Sequence, residues 1–264
     1  MRQEKVAISG REELAAAGTV ILRLRAPWLA QGSRAGQFIH VRCGGSYDPL
    51  LRRPISLLRV GKEGVDRDGL APDEVALLLQ VVGRGSAWLA ERSVGEEVDV
   101  LGPLGRGFAL EPAARHLLLV GGGVGVAPLV MLADEALARG MAVTLAMGAR
   151  GAAGVFPARL LPAEVEYAVA TEDGSLGKKG MVTDALPNLL SWADQVCACG
   201  PLPMLRALKR LPALTRAKRT QVSLEEHMGC AAGVCYGCVV ETRHGRRRVC
   251  HDGPVFYLDD VELP

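Results

Sequence analysis

The stretch that decides the fold runs from His116 to Gly140 and reads HLLLVGGGVGVAPLVMLADEALARG. An apolar run comes first, a cluster of glycines follows, and the remainder has the apolar spacing of a helix. A second apolar run, Ala142–Met147, begins directly afterwards. A buried strand, a tight turn, a helix and another buried strand form a β-α-β unit, so the sequence predicts a parallel sheet with crossover helices.

The same alternation continues towards the C-terminus. Strands are predicted at Tyr167–Thr171 and Gln195–Ala198, and helical segments at Val182–Leu190 and from Pro203 onward. This part of the chain is therefore predicted to be an α/β domain with a parallel sheet.

The glycine loop at 121–125 is a candidate phosphate site. Glycines allow a tight turn and a close approach of the backbone to a pyrophosphate, and a helix N-terminus favours its negative charge. The loop lacks the Gly-Lys-Ser/Thr ending of a P-loop, which argues against an NTPase. A structural turn without a ligand is the alternative.

A second candidate is Cys199-Gly200-Pro201, where a strand ends and a helix begins. Ligands of open parallel sheets gather at the carboxyl ends of strands, so a thiol here could lie beside a nicotinamide ring. An ordinary helix-start turn is the alternative.

Upstream of the glycine loop, short β-like runs alternate with Gly, Pro and Asp from Val6 to about Val100, which predicts an antiparallel barrel or sandwich. Examples are Thr19–Leu24, Gln37–Arg42, Ile55–Val60, Val75–Val82 and Glu97–Leu101. Two motifs lie among them. Arg52–Ser56 offers cations for a pyrophosphate and a hydroxyl for a flavin edge. Gly83–Ser86 precedes a predicted helix and offers N–H groups to a phosphate. Either motif alone is typical of a surface turn.

Four of the seven cysteines have a characteristic spacing. Cys230, Cys235 and Cys238 stand in C-x4-C-x2-C order and Cys250 follows, which is the plant-type ligand pattern of a [2Fe–2S] cluster. A zinc site is the alternative, although zinc ribbons favour C-x2-C pairs. A Rieske centre would need two His ligands, so His251 is expected to be exposed or behind the ligands. Cys43 and Cys197 are interpreted as buried structural thiols.

The composition limits the remaining possibilities. Hydrophobic residues make up 49% of the 264 residues and charged residues 23%, which predicts packed domains rather than disorder. Aromatic residues make up 4% and the net charge is +2, so no nucleic-acid partner is expected. The short basic run Arg243–Arg248 is interpreted as a solvated hairpin turn. The sequence shows no signal peptide and no apolar span of about 18 residues, so a cytoplasmic protein without membrane contact is expected.

Taken in order, these motifs resemble a known family. RPIS at 53–56, GRGS at 83–86, GGGVGVAPL at 121–129 and CGPLPM at 199–204 follow the order of the ferredoxin–NADP reductase superfamily. The C-terminal EEHMGCAAGVCYGCVVE and VCHDGPVF are more specific and resemble the electron-transfer subunits of class B dihydroorotate dehydrogenase. The resemblance covers essentially the whole chain.

The resemblance implies a multidomain protein: a flavin β-barrel at 1–108, an α/β nucleotide domain at 109–219 and a small [2Fe–2S] domain at 220–264. It implies FAD contacts from Arg53, Pro54, Ile55, Ser56, Leu78, Leu79, Gln80, Gly85 and Ser86. It implies NAD contacts from Gly121, Gly122, Gly123, Gly125, Cys199, Gly200 and Pro201. It implies cluster ligation by Cys230, Cys235, Cys238 and Cys250. Relatives in the superfamily often have Tyr where Ile55 stands, so an aromatic stack on the flavin is not expected.

The implied activity is electron transfer within pyrimidine biosynthesis. An FMN-containing catalytic partner would oxidise dihydroorotate, and electrons would reach NAD+ through the cluster and FAD. This chain would contain no dihydroorotate site, and two copies of each subunit would form a heterotetramer. NAD rather than NADP rests on the resemblance, since Arg150 could meet a 2′-phosphate.

Three alternatives remain open on the sequence. One is the small subunit of an NADH-dependent ferredoxin:NADP oxidoreductase or a diaphorase subunit of a soluble hydrogenase. A zinc-stabilised nucleotide-binding regulator without a redox role is the second, and a stand-alone reductase is the third.

Overall fold

The structure is a computed structural model that describes residues 1–16, 18–45, 47–63, 69–212, 214 and 220–263. Two large sheets organise it: a closed antiparallel barrel and a seven-stranded, mainly parallel sheet. A two-stranded hairpin follows near the C-terminus. No helix within the described ranges has the length and apolar character needed to cross a membrane.

The barrel is built from six strands in the order β1-β2-β5-β4-β3-β6. Their bounds are Arg2–Glu13 (β1), Thr19–Arg25 (β2), Phe38–Val41 (β3), Arg53–Val60 (β4), Glu74–Gln80 (β5) and Glu97–Leu104 (β6). Side chains of a strand point alternately to its two faces, and this gives the barrel its core. Every second residue of β6 is buried, while the residues between them are at least partly exposed. Helices α1 (Pro27–Gly32) and α2 (Arg84–Ala90) connect strands of the barrel.

The barrel prediction is confirmed; the predicted β-rich region begins at Val6, inside β1, but no bounds were predicted for this first strand. The twelve residues of β1 read RQEKVAISGREE. The many charged side chains hide the alternation of apolar and polar residues that is typical of a strand. The strand is fixed by its pairing with β2 on one side and β6 on the other. Barrel closure, rather than local apolar content, therefore sets its length.

The second sheet has the order β10-β9-β8-β7-β11-β12-β15. Its strands are His116–Gly122 (β7), Ala142–Ala149 (β8), Glu166–Thr171 (β9), Lys178–Lys179 (β10), Gln195–Cys199 (β11), Gln221–Ser223 (β12) and Val255–Tyr257 (β15). All neighbours are parallel except β12 and β15. The main helices are α3 (Ala127–Leu137), α4 (Leu186–Leu190) and α5 (Leu202–Lys209). The predicted α/β architecture is confirmed.

The cysteine-rich region is attached to this sheet at both of its ends. The strand β12 precedes it and β15 follows it, and the two pair with each other. Between them lie a hairpin of β13 (Val239–Val240) and β14 (Arg247–Arg248) and the short helix α6 (Val249–Asp252). The predicted boundary at residue 220 stays a prediction.

Polar contacts hold the segment that follows β6 against the sheet and join the barrel to α3. Gln195 and Gln221 each donate an Nε2 hydrogen bond to the carbonyl of Ala109, over 2.8 and 2.6 Å. On the other side, Arg59 of β4 pairs with Asp134 of α3, with Nε and Oδ2 2.7 Å apart. These contacts fix the orientation of the two sheets.

Candidate cofactor sites

A cavity of about 570 Å³ lies between the barrel and the carboxyl edge of the parallel sheet. The barrel contributes the end of β5 and the turn between β1 and β2, and the sheet contributes the glycine loop and the turns after β8, β9 and β11. A pocket of this volume, at this edge of an open α/β sheet, is of the kind that binds cofactors.

Five of the predicted cofactor residues line this cavity: Leu78, Gln80, Gly122, Gly123 and Pro201. The structure thus brings the β5 segment of the barrel and both nucleotide motifs to one cleft. The other predicted residues do not line its walls, and their individual cofactor contacts stay predictions.

The glycine loop is tightly packed against the turn after β11. A Cβ built on Gly125 would lie 2.7 Å from the Cys199 carbonyl oxygen and from Gly200 backbone atoms. A Cβ on Gly122 would lie 2.8 Å from Cδ of Pro201. Gly123 has a φ of +55° and open space around its Cα. The sequence predicted a strand, a turn and a helix here, and the turn is a 3-10 turn at 123–126 before α3.

Cys199 is fully buried at the end of β11, behind the cavity wall. Burial raises the pKa of its thiol, the nearby Glu225 carboxylate raises it further, and a hydrogen bond with Ser223 opposes the shift. The thiol is therefore neutral at physiological pH and serves as a small polarizable group. Burial also raises the pKa of Glu225.

The two flavin motifs meet in space. The Arg53 guanidinium lies against Gly85, where a Cβ would be 2.5 Å from Nε. Arg53 also donates an Nη1 hydrogen bond to the Leu51 carbonyl over 2.6 Å. A cation and the first turn of α2 thereby face the same space, which suits a phosphate group.

The Ser86 hydroxyl is engaged within its own turn. It accepts hydrogen bonds from the backbone N–H groups of Val82 and Gly83, over 3.0 and 3.1 Å, and donates to the Gly83 carbonyl. The glycine motif is part of α2 rather than a loop before it. Ser86 therefore stabilises the turn, and a contact of its hydroxyl with a phosphate would be a second role.

Along β4, the side chains of the RPIS motif alternate between two environments. Ile55 packs on the barrel core and pairs with Ile39, whereas Pro54 pairs with His40 on the other face. Ser56 pairs with Phe38. The aliphatic side chain of Ile55 therefore contributes to the packing of the barrel core.

The four predicted cluster cysteines come together as two pairs. The Cys235 N–H donates to Sγ of Cys230, and the Cys250 N–H donates to Sγ of Cys238, each over 3.4 Å. Two pairs of thiolates are the ligand set that a two-iron cluster requires. In the part of the chain that the structure describes, no three His, Cys, Asp or Glu side chains are arranged so that they could hold a single metal ion.

Backbone amides surround the sulfur atoms. The N–H groups of Ala232, Val234 and Cys235 each donate to Sγ of Cys230 over 3.4 Å. Burial acts to raise the pKa of Cys230, but these N–H groups outweigh it and lower the value to about 6. The loop therefore favours the thiolate of Cys230 before any metal binds, whereas burial raises the pKa of Cys250. Four cysteine sulfurs in two pairs, with amides directed at them, fit an iron–sulfur cluster.

The loop reaches this shape through left-handed backbone. Ala231 and Tyr236 have φ values of +53° and +56°, and Gly233 has +79°. A Cβ on Gly233 would lie 2.9 Å from His251. Such strained residues cluster at functional sites.

One residue of this site was misread from the sequence. Arg243–Arg246 form an exposed turn as predicted and Arg247 is exposed on β14, but Arg248 is half-buried and holds the loop together. Its Nη1 donates to the Gly233 carbonyl over 2.8 Å, and its Nε donates to Asp252 over 3.1 Å. Burial of Asp252 opposes the effect, yet Arg248 holds the pKa of that carboxyl well below its usual range. His251 is exposed, as expected.

The turn between β1 and β2 was missed as well. Leu14, Ala15, Ala16 and Thr19 line the cavity, although nothing in this small apolar stretch indicates a ligand. Their position depends on the pairing of Val81 with Gly18 across the strand ends, where Val81 N–H donates to the Gly18 carbonyl over 2.8 Å.

Comparison with known proteins agrees with this geometry. A family model described as the iron-sulfur cluster binding domain of dihydroorotate dehydrogenase B matches residues 225–262. The dihydroorotate dehydrogenase B (NAD(+)) electron transfer subunit of Bacillus caldolyticus is 42% identical, over 95% of this chain and 92% of the relative. The Shouchella clausii protein of the same name is also 42% identical, over 88% of this chain and 87% of its own.

Solved structures support the same fold. A NADH-dependent reduced ferredoxin–NADP oxidoreductase superposes with a TM-score of 0.85 at 27% identity, over 98% of this chain and 90% of the other. Phthalate dioxygenase reductase, 18% identical over 91% of this chain and 87% of the other, superposes with a TM-score of 0.63 and shares the fold. This chain belongs to the family of dihydroorotate dehydrogenase B electron transfer subunits.

Proposed function

We propose that this chain is the electron-transfer subunit of an NAD-linked dihydroorotate dehydrogenase in pyrimidine (UMP) biosynthesis. It passes electrons from an FMN-containing catalytic subunit through a [2Fe–2S] cluster and FAD to NAD+. The observation that carries the proposal is 42% identity across 95% of the chain to a subunit of that name. The cleft between barrel and sheet supports the NAD-linked half of the function.

FAD can exchange one or two electrons and the cluster exchanges one, so together they link a one-electron path to hydride transfer. The chain's own residues bind and orient these groups. Arg53 and the first turn of α2, with Gly85 and Ser86, hold the flavin pyrophosphate. Pro54, Ile55, Ser56, Leu78, Leu79 and Gln80 shape the flavin site. The Arg53–Gly85 contact supports this assignment.

The nucleotide is held at the carboxyl edge of β7 and β11. Gly121, Gly122, Gly123, Gly125, Cys199, Gly200 and Pro201 form this site. The open backbone at Gly123 and the close packing at Gly125 support it, because a dinucleotide needs both an approachable amide and a fixed turn.

Cys230, Cys235, Cys238 and Cys250 hold the cluster. The amides directed at Cys230 stabilise negative charge on sulfur, and Arg248, at the end of β14 next to the helix that carries Cys250, is hydrogen-bonded to the ligand loop at Gly233. Both effects favour a bound, reducible cluster.

The finer assignments belong to the same proposal. The chain divides into a flavin domain at 1–108, a nucleotide domain at 109–219 and a cluster domain at 220–264. Two copies assemble with two catalytic subunits in the cytoplasm. The family name, which denotes one subunit of a larger enzyme, supports the existence of a catalytic partner.

A second candidate has a specific observation in its favour. The NADH-dependent reduced ferredoxin–NADP oxidoreductase superposes over 98% of this chain. A subunit of that type would use the same three sites with a different large partner.

Anaerobic isolation of the native protein from its own cells, followed by mass spectrometry of what accompanies it, separates the two. We expect a flavoprotein dihydroorotate dehydrogenase in near-equal amount. Recovery of a large ferredoxin-oxidoreductase or hydrogenase subunit would retain the cofactor sites and overturn the pyrimidine role. Isolation without any companion would indicate a stand-alone reductase.

A further inference from the structure

His40 is a buried polar side chain that the proposed sites do not use. Its side chain is 1% exposed, and neither ring nitrogen has a hydrogen-bond partner of ordinary geometry within the described residues. Buried polar groups are nearly always paired, so an imidazole in this state requires an explanation. An aliphatic side chain would fill the space without this cost.

The position of His40 is between two cofactor regions. On β3 it lies opposite Pro54 of β4, within the RPIS motif, and opposite Leu101 of β6. The next residue on the same face, Phe38, packs in one apolar cluster with Met228 and Cys238. The imidazole therefore sits where the flavin strand meets the cluster segment, defined here as residues 225–250.

Two backbone acceptors from different segments act on the ring. They are the backbone carbonyls of Arg52, just before β4, and Met228, two residues before the first cluster cysteine. Burial is the main cause that lowers the pKa of His40 to about 4; the charges of Arg52 and Arg53 act in the same direction, and the Arg52 and Met228 carbonyls oppose them. The ring is neutral at pH 7 and has one N–H, so it can serve one of the two carbonyls at a time.

The charged groups near the ring are two arginines, which disfavour protonation of the imidazole, so the neutral ring is the hydrogen-bond donor. Arg52 donates to the His40 carbonyl over 3.3 Å and is paired with Asp99 of β6, 2.8 Å away. Arg53 is the second cation that acts on the ring. From the cluster segment, the group that faces the ring is the uncharged Met228 carbonyl.

We propose that His40 is a positioning residue that ties the flavin strand to the cluster segment by donating its single N–H to the Met228 carbonyl. The inference rests on the proposed function, since it presumes that both sites are loaded. Met228 leads directly into Gly229 and Cys230, and the amides that follow Cys230 are those directed at its sulfur. A hydrogen bond at Met228 therefore sets the geometry of the cluster's amide shell, which tunes its potential.

Two variants test the role in the holoenzyme. H40L keeps the volume and removes the donor, whereas H40Q keeps an N–H donor near the position of Nε2. Ser9→Ala is the matched control, because the Ser9 hydroxyl is also buried without a partner but lies on β1. The readouts are the EPR spectrum and potential of the reduced cluster, and the rate of cluster reduction after anaerobic mixing with NADH.

We expect H40L, with full flavin and iron content, to change the cluster EPR spectrum and slow cluster reduction by about tenfold, the lower end of effects from outer-shell contacts. H40Q should restore both, and S9A should match the wild type. An H40L protein with unchanged spectrum, potential and rate would overturn the proposal and leave His40 as a packing residue.

If H40L loses the cluster, H40N and H40Q decide the question. Gln places its amide near Nε2 and Asn near Nδ1, so the positioning role predicts that H40Q, and not H40N, restores the wild-type spectrum. Identical wild-type behaviour of both would overturn the proposal. The NADH-to-cluster reaction needs no dihydroorotate, so these outcomes are independent of the identity of the partner.

Discussion

The guanidinium of Arg53 rests on Gly85, at a distance that leaves no room for a Cβ. Two motifs that are far apart in the sequence thus form one cationic, amide-rich surface. The contact explains why a glycine stands at the second residue of α2, where glycine is a poor helix former.

Gly85→Ala should weaken FAD binding, because the new methyl group displaces Arg53 from the phosphate site. Loss of one charge-assisted hydrogen bond costs about 1.5–3 kcal/mol, or at least about tenfold in Kd. Titration of the flavin-free protein with FAD measures the change. Gly83→Ala is the control, since a Cβ there meets nothing within 4 Å. Equal affinities of the two variants would contradict the assignment of Arg53.

Gly125→Ala should destabilise the nucleotide domain and weaken NADH binding. The methyl group would meet the backbone of Cys199 and Gly200 at 2.7 Å, and backbone cannot move as a side-chain end can. Overpacking of this kind costs about 1–3 kcal/mol. Urea unfolding and NADH titration are the measurements. Gly121→Ala at the end of β7, with nearest contacts of 3.4 Å or more, should lower the free energy of unfolding much less than Gly125→Ala.

Cys238→Ala should abolish the cluster, whereas Cys197→Ala should retain it. Both thiols are buried, so the loss of packing is comparable in the two variants. Cys238 is paired with Cys250, while Cys197 is a residue of β11 in the parallel sheet. Iron and sulfide analysis of anaerobically purified protein measures the outcome. A full complement of iron in the Cys238 variant would remove that residue from the ligand set.

Asp134→Asn should loosen the packing of the barrel on α3. The Arg59 and Asp134 side chains are 6% and 14% exposed, and removing one charge of a buried pair costs about 3–5 kcal/mol. The exposed pair of Arg159 and Glu12 also joins the two domains, so Glu12→Gln should cost less than about 1 kcal/mol. Thermal unfolding of both variants gives the comparison. Similar losses would show that the buried pair has no special role.

His40 should make the protein acid-sensitive between about pH 6.5 and pH 4. Its folded-state pKa of about 4 lies below the unfolded value of 6.5, chiefly because of burial. The unfolded chain therefore binds the extra proton, and stability falls as the pH falls through this window, by up to about 3 kcal/mol. Unfolding free energies of the wild type and H40Q, measured across the window, should diverge towards low pH. Parallel curves would refute the assigned titration.

Much of the site could be predicted from the sequence because its chemistry depends on residues that are close together in the chain. The strand, glycines and helix at 116–140 are consecutive, so periodicity and turn chemistry identify them. The spacing of Cys230, Cys235 and Cys238 follows from wrapping one loop around a small cluster. Residues that contact one another within a short segment have a fixed spacing, and a single sequence is enough to show that spacing.

The tertiary structure alone decided which distant segments meet. Closing the barrel places Arg53 on Gly85, carries the turn between β1 and β2 to the cavity, and buries His40 beside Met228. None of these contacts has a sequence period, because each depends on strand register and on how two sheets pack. Local propensities encode the elements, whereas the burial of their faces against one another determines which side chains share a site.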